Sequence, residues 1–416
     1  MTLFDDLRWR GLVHQFTAPD LPALLDQGGL VAYIGFDPTA DSLHIGHLLQ
    51  MCTLRRLQEG GHRVIALAGG ATGMIGDPGG KSEERNLLDA QQLGRNLTGI
   101  EAQLQRFLEG RAIFVDNASW TAGVSVLEFL RDVGKHFTVN QMIAKDSVRA
   151  RIERPEQGIS YTEFSYMLLQ AFDFLHLYDT YGCRLQLGAS DQWGNITMGT
   201  ELIRKVRGDE AFGLTTPLVV KADGTKFGKT EGGAVWLDTA KTSPYRLFQF
   251  LINSEDSVVG SYLRYFTWLD RARIEELDTA TQEHPERREA QRALAWEVTA
   301  LVHGDAEANR ARHAAAVLFT EEIAELDEPT LLDVFTDAPA TVVARRPTPL
   351  VELLARVGIT SSKSDARRQI QQGGVYVNNR REPDVDRVLD PQADTLHGRY
   401  VVLRRGRTTH HLVSFG

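Results

Sequence analysis

Between residues 30 and 200 the apolar positions fall into two alternating patterns. The runs "LVAYIGFD" from Leu30, "RVIALAGG" from Arg63, "RAIFVDN" from Arg111 and "RLQLGAS" from Arg184 are short and densely apolar, as buried strands are. Longer stretches between and beside them, "LLQMCTLRRLQEG", "IEAQLQRFLEG" and "YTEFSYMLLQAFDFLHLYD", carry the helical period. Strands alternating with helices predict an α/β fold, a parallel sheet with helices on both faces. Ligands of such sheets bind beyond the carboxyl ends of the strands, so the chemistry is to be sought there.

From about 243 to 320 the strand pattern vanishes. "PYRLFQFLINSEDSVVGSYLRYF" and "REAQRALAWEVTALVHGDAEANRARHAAAVLF" read as helical throughout. The acidic, proline-marked text that follows reads as a linker, 321–347. A compact α+β module of two helices and short strands closes the chain, 348–416. The expected divisions are therefore 1–225, 226–320, 321–347 and 348–416.

Composition narrows the class. The chain has 416 residues, of which 42% are hydrophobic and 24% charged, enough for large cores in two or three domains. No run is long and apolar enough to cross a membrane, and the acid-bearing N-terminus lacks a secretory signal's basic start and apolar block. Two cysteines exclude a disulfide framework or a cysteine-based zinc site, which leaves the cytoplasm as the default compartment. The net charge of −9 argues against a general polyanion binder. Residues 348–416, however, hold 11 Lys/Arg against 7 Asp/Glu, so a basic tail on an acidic body is expected to meet a polyanion.

The first candidate for chemistry is "DSLHIGHLLQM", residues 41–51. It follows a strand and the turn-forming "FDPTADS", whose Asp41 or Ser42 is expected to cap a helix. On that helix His44 and His47 share a face, roughly 140° from the apolar side of Ile45, Leu49 and Cys52. Imidazoles at a helix start, where free N–H groups already favour anions, suit a phosphate. The plainer alternative is a pair of surface histidines. Gly46 is not explained by spacing; close approach of a flat ligand is one reason for it, which makes Gly46 a candidate nucleotide contact. A second basic signal is "KFGKT", with Lys226, Gly228, Lys229 and Thr230 after an "ADGT" turn. It lacks the spacing of a phosphate-binding Walker loop and could be a solvated hairpin tip. Third, the helix expected over 162–175 places Tyr166, Gln170 and Asp173 at i, i+4 and i+7, a narrow polar stripe in an apolar surround. It faces either water or a polar pocket.

Together, "HIGH" at 44–47 and "KFGKT" at 226–230 resemble the two signatures of class I aminoacyl-tRNA synthetases, the second as a variant of "KMSKS". The stretches "YIGFDPTADSLHIGHLLQ", "GGATGMIGDPGGK", "YTEFSYMLLQAFDF" and "LGASDQWGNITMG" are similar to the bacterial-type tyrosyl branch. The resemblance runs through nearly the whole chain. It implies a Rossmann-like catalytic domain, a helical domain on the anticodon side, and activation of L-tyrosine by ATP and Mg²⁺ followed by transfer to tRNA(Tyr). It implies that Tyr33 and Asp173 meet the phenolic hydroxyl, and that Asp77, Tyr166 and Gln170 meet the α-ammonium, with Gln192 near the reacting carboxylate. Asp37, Thr39, His44 and His47 would meet ATP, Gly188 and Asp191 the ribose, and Lys81 and Arg85 the pyrophosphate. Lys226, Lys229 and Thr230 would stabilise the transition state. Ile34 stands where some relatives carry a ribose-reaching thiol, which puts one ribose contact in question.

The tail resembles a small RNA-binding module of a small-subunit ribosomal protein. Its Lys363, Arg367, Arg368, Arg380 and Arg381 are the candidate RNA contacts. A homodimer is implied by resemblance alone. Three other readings stay open: a tryptophanyl-type enzyme, another nucleotidyltransferase with the same histidine signature, and a non-catalytic RNA-binding paralogue.

Overall fold

The computed structural model describes residues 1–78, 89–153, 158–225, 227–230, 233–318, 320–336, 338–406 and 409–416, with the backbone alone at 146, 147, 150, 229 and 230. They form two compact units, 1–241 with 254–290, and 242–253 with 291–416.

The first unit is built on a six-stranded sheet. Its strands are β1 (Gln15–Phe16), β2 (Val31–Phe36), β3 (Arg63–Ala68), β4 (Ile113–Asp116), β5 (Cys183–Ala189) and β6 (Phe212–Thr216). They are arranged β1-β6-β5-β2-β3-β4, parallel except for the antiparallel edge strand β1. All four expected strands are present. β6 and β1 were not expected: one is a five-residue run rich in Gly and Thr, the other only two residues long. The order reverses between β2 and β5, so the crevice at their carboxyl ends is where a ligand belongs. Tyr33 on β2 packs with Phe174, Met198 and Leu202 into one core beneath that crevice.

Helix Tyr161–Tyr181 begins at Ser160, whose side chain accepts from Glu163 N, and ends at the left-handed Gly182. It packs against helix Trp193–Arg207. Five consecutive helices between 244 and 317 match the expectation of a helical region.

The boundaries differ from those expected. Residues 227–241 belong with the sheet, because Ile45 N donates to Val235 O at 2.8 Å and Leu237 N to Leu43 O at 2.9 Å. Helix Pro244–Ile252 belongs to the second unit, where it packs on helix Asp305–Val317 and buries Tyr245, Leu247, Phe248 and Leu251. The stretch expected as a linker is also structured. It holds the helical turn Glu321–Glu325, the helix Glu328–Val334 and the strand Ala340–Val343, which pairs in parallel with Thr409–Phe415. Pro329 lies in a first helical turn, where no N–H is missed, and the apolar Ile323, Leu326, Leu331 and Phe335 are buried among the acids that masked them.

The closing module has the two helices and short strands expected, over a core of Leu350, Leu353, Leu354, Ile370, Val401 and Val413. Ser362 caps the second helix, accepting from Asp365 N at 3.1 Å.

Candidate active site

The crevice receives the segments that follow β2, β3, β4 and β5, together with the inward face of helix Tyr161–Tyr181. The polar stripe of that helix faces inward: Asp173 is 2% exposed and Tyr166 6%.

At the deep end, Asp173 accepts from Asn117 Nδ2 at 2.9 Å on one oxygen and from Trp120 Nε1 at 2.9 Å on the other. Burial pushes its carboxyl up to about 7, against the pull of those two N–H bonds. Tyr33 is fully buried, and its hydroxyl has no hydrogen-bond partner among the described residues. Burial first, and then the charge of Asp173, hold that phenol well above its ordinary range. A buried hydroxyl without a partner costs free energy unless a ligand completes it. This end can therefore accept a hydroxyl-bearing apolar group.

Midway, Gln192 gathers the other polar residues. Its Nε2 donates to Asp77 Oδ2 at 2.5 Å, and its Oε1 accepts from Gln170 Nε2 at 3.3 Å and Asn195 Nδ2 at 3.2 Å. Asn195 also donates to Gln170 at 3.0 Å. Asp77 adds a carboxylate to an otherwise amide cluster, which suits a cationic group. Tyr166 points elsewhere, donating to Asp37 Oδ2 at 3.0 Å, while Thr72 Oγ1 donates to Asp37 Oδ1 at 2.9 Å.

At the outer end the histidine pair is held by the backbone, and differently from the expectation. Neither Asp41 nor Ser42 caps the helix. His44 itself is the extended N-cap of a 3₁₀ turn, Ile45–His47, and the α-helix begins at Leu48. Its Nδ1 accepts from Gly46 N at 3.0 Å, and His47 Nδ1 accepts from His44 N at 3.2 Å. The rings lie 3.9 Å apart, 30° from parallel. With both Nδ1 atoms accepting, each neutral ring carries its proton on Nε2. Gly46 now has a structural reason. A Cβ there would lie 2.7 Å from His44 Cε1, so the imidazole can fold back only over glycine. The expected close approach is made by the protein's own ring.

The second basic segment reaches this turn. Gly228, at φ +82°, lies so close that a Cβ would meet Ile45 Cγ2 at 2.5 Å. Phe227 is buried, its ring 4.6 Å from Tyr262 and 5.5 Å from Phe266. Lys229 and Thr230 pair with Gly233 and Ala234 as a short hairpin. Lys241 bonds Asp41 at 2.6 Å and lies over Trp236, whose ring is 6.0 Å from that of His44. The two signatures, about 180 residues apart in the chain, thus pack so closely that a Cβ on Gly228 would come within 3.4 Å of Gly46 N. The side chains of Lys229 and Thr230, and all of Lys226, Lys81 and Arg85, lie outside what is described. Thr39 is exposed in the turn after β2, Gly188 lies near the end of β5, and Asp191 in the 3₁₀ turn beyond it. Ile34 is buried in β2.

Sequence reasoning missed Asn117, Trp120, Thr72 and Asn195. The first two follow β4 directly and could have been found from the strand-end rule; Thr72 and Asn195 sit inside stretches already singled out. It also missed Asn96 and Gln103 on helix Ala90–Phe107. Asn96 Nδ2 donates to Pro38 O at 2.8 Å, and Gln103 Oε1 accepts from Leu43 N at 2.7 Å, fixing the segment between β2 and the histidines.

In the closing module Lys363 pairs with Glu352, Arg368 with Asp365 and Arg380 with Glu321, all on the surface. Such pairs are weak and exchangeable for phosphates. Arg367 and Arg381 are exposed beside them.

Comparison with known proteins fits this arrangement. Residues 26–320 match the family described as tRNA synthetases class I (W and Y), and 330–413 the tyrosine–tRNA ligase SYY-like C-terminal domain. The second match begins before 348, in keeping with the strand at 340–343. The chain is 53% identical to the tyrosine–tRNA ligase of Roseiflexus castenholzii, over 99% of each chain. It is 52% identical to that of Geobacillus stearothermophilus, over the full length of both. Among solved structures, a C-terminally truncated mitochondrial tyrosyl-tRNA synthetase of Aspergillus nidulans superposes with a TM-score of 0.68 at 31% identity, covering 76% of this chain and 94% of that one.

Proposed function

The chain belongs to the class I tRNA synthetases of the tryptophan and tyrosine type, and on that premise we propose how its site performs the tyrosine–tRNA ligase reaction. The chain activates L-tyrosine with ATP, releasing pyrophosphate, and passes the tyrosyl group to the 3′ end of tRNA. The observation that carries the choice of tyrosine is the buried Tyr33 hydroxyl, without a partner, in the same chamber as Asp173. A phenol entering there donates to Asp173 and completes Tyr33. Phenylalanine leaves both unsatisfied.

Tyrosine's α-ammonium would sit against Asp77 and Gln170, with Tyr166 beside them. Gln192 would turn its amide towards the carboxylate. That carboxylate attacks the α-phosphorus directly, so no general base and no covalent enzyme intermediate are required. The rate then depends on positioning and on charge stabilisation. His44 and His47, each with Nε2 as donor, would address the phosphates with Thr39; Asp37 would meet ATP, and Gly188 and Asp191 its ribose. Lys81, Arg85, Lys226, Lys229 and Thr230 would close around pyrophosphate, engaging most strongly as charge develops. Mg²⁺ would arrive held by phosphate oxygens and supply charge neutralisation there.

Helices between 243 and 320 would meet the anticodon stem, and Lys363, Arg367, Arg368, Arg380 and Arg381 would meet the backbone of tRNA(Tyr). A homodimer is proposed from the resemblance, and the exposed apolar side chains of Val126, Leu127, Leu130 and Val139 are consistent with it. No helix among the described residues is long and apolar enough to span a membrane, and the cytoplasm, where tRNA is charged, is the proposed compartment.

Exchange of labelled pyrophosphate into ATP, run with each of the twenty amino acids, tests the reading. Exchange driven by tyrosine alone is expected; exchange driven by tryptophan, or none, would overturn it.

A further inference from the structure

The indole that grips Asp173 is itself gripped from outside the pocket. Trp120 donates its Nε1–H to Asp173 Oδ1, and its ring is stacked on His176, with centroids 4.3 Å apart and planes 14° from parallel. Asp173 and His176 are three residues apart on one helix, so they share a side. The indole bridges them, with its N–H edge on the carboxylate and its face on the imidazole. Thr180, one turn on, lies 3.4 Å from His176 Nε2 and helps fix the ring. Burial holds the imidazole below its ordinary range, so near neutral pH it stacks as a neutral ring. On its outer side His176 lines a cavity of about 380 Å³ with Phe172, Asp179 and Arg207.

We propose that His176 is a positioning residue for tyrosine selection, clamping Trp120 edge-on to Asp173 without touching the substrate. The inference rests on the assignment of tyrosine to this pocket. With the clamp in place Oδ1 keeps a neutral N–H donor, and the carboxylate stays ionised and oriented to accept the phenolic proton. Without it, the indole drifts and Asp173 loses one of its two fixed donors. Tyrosine then loses an acceptor that phenylalanine never used, while ATP, bound at the other end, is unaffected.

The test is pyrophosphate exchange by the full-length chain, with tyrosine and phenylalanine as alternative substrates, for the parent, His176→Leu and His176→Phe. The leucine variant is expected to raise the tyrosine KM and lower the tyrosine-over-phenylalanine ratio of kcat/KM by roughly three- to tenfold, the worth of a lost aromatic contact. Its ATP KM and maximal exchange rate should stay within about twofold of the parent. The phenylalanine variant, which keeps a stacking ring, should restore the ratio. Should the leucine variant fold poorly, His176→Gln, polar and unable to stack as an aromatic, serves in its place. A ratio unchanged in the non-aromatic variant, or lowered equally by the aromatic one, overturns the proposal. A parent that shows no tyrosine-driven exchange would instead overturn the assignment of tyrosine, so the two failures are told apart.

Discussion

At the phenol end of the site selectivity rests on side chains removed from water, whereas at the triphosphate end the geometry is carried by backbone bonds. Asp173 and Tyr33 are buried and perturbed, and the Tyr33 hydroxyl has no partner among the described residues. His44, Gly46 and His47 are locked by reciprocal N–H bonds, and Gly228 is packed against Ile45. The difference follows from the task. Discriminating one hydroxyl requires a dry pocket in which a missing partner is expensive. Stabilising charge that appears only during reaction requires donors fixed in advance, since reorganising them would cost the rate.

The largest effect is expected from breaking the phenol end. Asp173→Asn should lower kcat/KM for tyrosine by roughly a hundredfold, with little change for phenylalanine, in exchange kinetics. An equal loss for both amino acids would mean that the carboxylate supports the fold rather than selects the substrate. Breaking the other end should affect rate alone. In Gly46→Ala the new Cβ must push the His44 ring aside, and single-turnover adenylate formation should slow by roughly thirtyfold at unchanged tyrosine affinity. Lys229→Ala should slow the same step by at least about tenfold, again without loss of tyrosine affinity; the opposite pattern would remove that lysine from the transition state.

Acidity separates the two ends more finely. Below about pH 7 the empty pocket holds Asp173 protonated, and as a neutral acid it is a weaker acceptor for the phenol. Tyrosine kcat/KM should therefore fall by up to about tenfold per unit as pH drops beneath that point, and the slope should vanish in Asp173→Asn. The sign for stability is the reverse. The folded pKa of about 7 lies above the ordinary 3.8, so the native state holds the extra proton, and this group's contribution to stability declines as pH rises between those values. The smallest effect is expected far from either end. Arg367→Ala with Arg381→Ala should raise the KM for tRNA a few-fold, less at higher salt, and leave amino-acid-dependent exchange unchanged. A change in exchange would mean that the closing module influences the site.

Much of this was legible beforehand, and the gaps have physical causes. Strands β2, β3 and β5 announced themselves because buried parallel strands are nearly continuous apolar runs, and the edge strand β4 shares that pattern. β6, rich in Gly and Thr, did not. Asp173 was legible as one of a stripe, since helical spacing is a local property, but the stripe could equally have faced water. Trp120, His176, Asn96 and Gln103 carried no motif; each acts through a residue remote in sequence. The linker reading failed because acids and prolines outweighed the apolar residues, and because the strand Ala340–Val343 pairs with one about 70 positions later.

Local chemistry, written in the order of residues, settled which segments are helices and strands, where turns interrupt them, and which side chains could bind phosphate, ammonium and phenol. Only the tertiary structure decided that His44 folds over Gly46 with its proton on Nε2, that the two signatures touch, and that Asp173 titrates near neutrality. Those properties depend on which groups share a dry enclosure and which N–H groups reach them, and chain order does not record distance or access to water.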